Sequence, residues 1–75
     1  MEIILSRHAQ RRAKLYEIPE SIIIEILEGK DLSQGTHEII ENTEGFKYPI
    51  KIVVHLENDI ITVVTNYPLK KGRIL

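Results

Sequence analysis

The chain has no cysteine and no tryptophan, one methionine, one phenylalanine, three prolines and four glycines in 75 residues. Without cysteine there is neither a disulfide framework nor a thiolate metal site, so stability has to come from packing. The glycines, at 29, 35, 45 and 72, stand apart from one another, which excludes a glycine-rich phosphate loop and leaves them as turn residues. No apolar run approaches the roughly 20 residues of a membrane span, and Met1–Leu5 is too short for a secretory signal. A soluble, cytoplasmic protein with no membrane partner is expected. His8, His37 and His55 share no ligand spacing, so no metal is expected, nor any cofactor.

What remains is a chain of ordinary hydrophobic content, 43%, and no stretch that reads as a linker, hence one domain over residues 1–75. A domain this small has a thin core, which makes a homodimer a reasonable expectation. The formal net charge of −1 hides a division. Residues 1–30 balance to zero, residues 31–46 carry −4, and residues 47–75 carry +3. Charge alone would not hold this chain on nucleic acid unless the basic patches merge into one face.

From Arg7 to Tyr16 the apolar positions Ala9, Ala13 and Tyr16 recur at helical spacing behind Ser6, a good N-cap. Pro19 and Glu20 suit the first turn of a second helix running to Glu28, and Gly29 is expected to end it in the left-handed conformation. Ile22, Ile23, Ile24, Ile26 and Leu27 cover more than one stripe, so this helix should be the more deeply buried. Beyond Gly35 the period changes to two. Thr36–Asn42 alternates weakly. Tyr48, Ile50, Ile52, Val54 and Leu56 fall on one side, opposite Lys51, Val53 and His55. After a tight turn at Glu57–Asp59, Ile60–Tyr67 forms a last strand with Ile61, Val63 and Tyr67 on one side. Met1–Leu5 fits either a short strand or a strap. The expectation is an α+β domain, two N-terminal helices packed on a three- to four-stranded antiparallel sheet, followed by a mobile basic tail over 68–75.

The most informative segment is Ser6–Lys14. On a helix His8 and Arg12 project side by side, a titratable ring beside a fixed cation, with Arg11 adding to the patch. Such a pair suits a phosphate. RNA cleavage by a 2′-hydroxyl needs a base, an acid for the leaving 5′-oxygen and a cation for the developing charge. His8 is a candidate acid or base and Arg12 a bidentate clamp, while Lys51, His55 and Tyr67 are candidates for the remaining roles and Arg11 for substrate binding. Each has a plainer role available: His8 as a cap or surface ion pair, Arg12 paired with Glu28, Lys51 and His55 on a solvated face, Tyr67 at the core edge.

Taken together, His8 and Arg12 on the first helix, the Ile18-Pro19-Glu20 helix start, the Gly29-Lys30 exit, Tyr48–Val54 and Ile61–Tyr67 resemble domain-of-unknown-function family 4258, a relative of the RelE, ParE and BrnT toxins. The resemblance runs from His8 to Tyr67. It implies a RelE-like fold and a metal-independent endoribonuclease of a toxin–antitoxin system, acting on RNA or at the ribosome and held by an antitoxin protein. It also implies that Tyr67 stands where such toxins place a C-terminal tyrosine, with Lys51 or His55 supplying sheet-face charge. The alternative is a noncatalytic module on the same scaffold, offering a groove or strand edge to a partner peptide.

Overall fold

The computed structural model describes residues 2–70. Its elements are β1 (Glu2–Leu5), α1 (Arg7–Leu15), α2 (Glu20–Glu28), β2 (Gly35–Glu41), β3 (Ile50–Glu57) and β4 (Ile60–Pro68). The four strands form one sheet in the order β1-β4-β3-β2. β2, β3 and β4 make the expected antiparallel meander, but β1 joins β4 in parallel, Leu5 opposite Val63, so the sheet is mixed rather than antiparallel. The physical reason lies in the connection. Two helices separate β1 from the meander, enough chain to cross back over the sheet and enter it in the parallel sense.

Ser6 sets the start of α1. Its Oγ accepts the Ala9 N–H at 3.0 Å and donates to the Val64 carbonyl at 3.1 Å, so one hydroxyl caps the helix and ties it to β4. The helix closes on Glu17, at φ 56°, with the Ile18 N–H donating to the Ala13 carbonyl at 2.8 Å and that of Glu17 to Lys14 at 3.2 Å. This double bond pattern buries Ile18 and turns the chain into α2. Gly29 does end α2, yet at φ −87°, so the left-handed closure expected there occurs at Glu17 instead. The β3–β4 turn is tight, with Asn58 and Asp59 both at positive φ, the conformation that matches strand twist in a two-residue hairpin.

The core lies between the helices and one sheet face. Ile50, Ile52, Val54 and Leu56 point into it from β3, Ile61 and Val63 from β4, Ile39 from β2 and Leu5 from β1. Ala9 and Ala13 let α1 sit close to the sheet, while Ile23 and Leu27 fill the space under α2, with Ile22 and Ile26 packed at its margin. α2 buries Ile23 and Leu27 and half-buries Ile22, Ile24 and Ile26, so it is the more deeply buried helix, as expected. No helix among the described residues is long and apolar enough to cross a membrane.

β4 carries an irregularity that the alternation of its side chains does not announce. Val54 pairs with Val63 but Val53 pairs with Thr65, so Val64 is an extra residue and a β-bulge. Past it the phase inverts. Asn66 turns into the core and Tyr67 turns out, so Tyr67 does not share a side with Ile61 and Val63 as expected. The tail is also shorter than expected at its start. Pro68 still pairs with Ile50, and the Leu69 N–H donates to the Pro49 carbonyl at 2.8 Å. Residues 71–75, the rest of that tail, lie outside the described residues.

Candidate functional site

Among the described residues, no helix packs on the second face of the sheet. Register places Thr36, Glu38 and Ile40 on it from β2, Lys51, Val53 and His55 from β3, and Thr62, Thr65 and Tyr67 from β4. Lys51 is its electrostatic centre. Its Nζ lies 3.2 Å from Glu38 Oε1 and 5.9 Å from the centre of the Tyr67 ring. Glu38 first, and then the Tyr67 hydroxyl, hold the ammonium above the usual lysine value by hydrogen bonding to its charged form. The pairing follows from the backbone, because Lys51 stands directly opposite Tyr67 across the β3–β4 ladder. It exists because the bulge rotated Tyr67 onto this face.

His8 reaches the same region from the helix layer. Its Nε2 is 3.1 Å from Thr65 Oγ1, at the strand position two residues before Tyr67 and about 7 Å along the chain. The hydroxyl orients the ring and can serve either tautomer. Arg12 follows His8 one turn later on the same side of α1, half-buried, and makes no ion pair with Glu28 or any other described residue. Arg11 is exposed and lies across the helix from the buried Ala9 and Ala13, pointing away from the sheet. His55 sits four residues from Lys51, about 13 Å along β3. Its ring is held at both nitrogens, Nδ1 by Thr36 Oγ1 at 3.0 Å and Nε2 by Glu57 Oε1 at 3.5 Å.

The fold therefore brings Tyr67 and Lys51 into contact and His8 to the adjoining strand position. It leaves Arg11 and His55 apart from them. A groove of about 440 Å³ adjoins Tyr67, lined by Tyr16, Tyr67, Pro68, Leu69 and Lys70, between the end of α1 and the end of β4. Tyr16, Thr65 and Glu38 are site residues that local sequence reasoning missed. Only the strand register, which opposes Glu38 to Val53 beside Lys51, would have signalled the last of these.

Buried Asn66 stands behind the site. Its Nδ2 donates to the Ala9 carbonyl at 3.1 Å, while its Oδ1 has no hydrogen-bond partner among the described residues. It fixes the first turns of α1 against β4 and so sets the position of His8. These features define a small α+β domain with one uncovered, mixed-charge sheet face. No family model matches the chain, and no curated protein or solved structure matches it either.

Proposed function

We propose that this is a toxin-like protein of the RelE/ParE/BrnT type, an RNA-cleaving endoribonuclease of a toxin–antitoxin system that uses the uncovered sheet face beside α1. The observation that carries this reading is the juxtaposition of Lys51 with Tyr67, and of His8 with Thr65 on the same strand. In the proposed reaction His8 takes the proton of a ribose 2′-hydroxyl. The 2′-oxygen bonds to phosphorus, the bond to the 5′-oxygen breaks, and Tyr67 supplies that oxygen with a proton. Lys51 and Arg12 bear the charge that collects on the phosphoryl oxygens. The products are a 2′,3′-cyclic phosphate and a free 5′-hydroxyl. Glu38 has a defined part: it holds Lys51 until a phosphate replaces it, and so screens the site from weakly bound anions.

The test is cleavage of end-labelled single-stranded RNA, with and without ribosomes. His8→Ala and Tyr67→Phe should each lower the rate by about 10²-fold while leaving the unfolding midpoint within about 1 °C of wild type. Glu38→Gln should tighten RNA binding.

A second reading is favoured by a different observation. Ile4, Ile40 and Ile60, all exposed, border or occupy the uncovered sheet region, and the one cation at its centre is already paired with a carboxylate. On that reading the face is a noncatalytic docking surface for a partner such as an antitoxin segment. A folded protein that cleaves no RNA under either condition leaves this reading alone.

A further inference from the structure

A larger groove, about 580 Å³, opens between α2 and the end of β2 with the turn that follows it. Ile22 and Ile26, one helical turn apart, form its apolar part, and Glu25, Glu41 and Glu44 stand around it. Lys30 holds Glu41 at 2.9 Å, but Glu25 and Glu44 have no ion-pair partner among the described residues. An apolar slot flanked by unpaired carboxylates is complementary to an aliphatic side chain carried between cations.

The chain displays such a surface itself. Opposite the buried Ala9 and Ala13, the outer side of α1 presents Arg7, Arg11, Lys14 and Leu15 within about 100° of helix circumference. Leu15 is 63% exposed, the most of any large hydrophobic side chain described. The two surfaces also lie at opposite edges of the sheet, since α1 packs on β4 and β1 while the groove adjoins β2. We propose that α1 of one molecule seats in the α2–β2 groove of a second copy, with Leu15 between Ile22 and Ile26 and with Arg11 and Lys14 against Glu25 and Glu44. Because the two surfaces lie at opposite edges of the sheet, one pair of molecules does not satisfy both contacts at once, so the association is head to tail and extends as copies are added, into an open chain or a ring. The complementary charges lie on the chain in hand, which favours a second copy over a foreign cationic peptide as the occupant.

Sedimentation velocity from micromolar to millimolar concentration tests this. Wild type should gain mass with concentration, and salt should reverse the gain. Gly29→Phe should place a ring in the lining of the groove on a backbone that accepts a Cβ, because φ there is −87° and the Cβ itself would meet the Ile26 carbonyl at an ordinary 3.7 Å. Leu15→Asp should remove the inserted residue from an exposed position. Each variant, checked for folding by circular dichroism, should associate at least about tenfold more weakly than wild type. An equimolar mixture of the two retains one intact helix and one intact groove, and should form a dimer and nothing larger. A wild type that stays monomeric throughout, as it would if the groove served only a foreign peptide, overturns the proposal. So does association that survives both variants, or a mixture that does not dimerise.

Discussion

The two faces of this sheet differ in what holds them. Toward the helices, β3 contributes Ile50, Ile52, Val54 and Leu56, each nearly or fully sealed, and the energy there is that of apolar surface removed from water. Toward solvent the same strand contributes Lys51, Val53 and His55, whose neighbours are threonines, a tyrosine and carboxylates. The first face defines the fold and tolerates little change in volume. The second keeps its polar groups matched by surface pairs that cost little to exchange, and that is the condition a binding face requires.

The sharpest way to break this comparison is to delete the same kind of atom on both sides. Ile52→Ala should cost about 2–5 kcal/mol in urea unfolding, and Val53→Ala, one residue away, less than about 1 kcal/mol. Equal losses would mean that the uncovered face is packed in solution. Asn66→Ala comes next, at about 1–3 kcal/mol, because it removes a buried hydrogen bond to Ala9. Its effect should appear as faster amide hydrogen exchange across the first turns of α1, with β2 and β3 unchanged. The smallest effect belongs to the surface pair. Lys51 has its affinity for a proton raised in the folded state, so its contribution is complete below the ordinary lysine value and disappears as the pH climbs through the higher, folded one. Unfolding midpoints of wild type and Lys51→Met should therefore differ slightly at neutral pH and converge in strong alkali.

Much of the fold is legible in the sequence, because it is written in local periods. The alternation from Ile50 to Leu56 and the Ser6 cap act within a few residues and are found where the pattern places them. Pro19 stands in extended backbone as the cap of α2, just before the first turn where the pattern places it. The parallel pairing of β1 is not local: nothing in Glu2–Leu5 specifies a partner near residue 60. The bulge at Val64 is the other failure. A strict two-residue period carries Tyr67 to the wrong side and hides Asn66, the one fully buried polar residue among those described. Of the candidate site, the pairing of His8 with Arg12 along one helix side could be read from spacing. The contact of Lys51 with Tyr67 required a register and a bulge that spacing does not encode.

The union of β1 with β4 has a consequence for how the molecule comes into being. Ser6 and Val64, joined by a hydroxyl-to-carbonyl bond, stand 58 positions apart, so the whole stretch between them must exist before either β1 or β4 finds its place beside the other. Closing so long a loop is costly in entropy and slow compared with zipping a hairpin. During synthesis the first helix waits without its bed until the last strand has emerged. A chain stopped before Ile60 would therefore lack the element on which its own beginning is built.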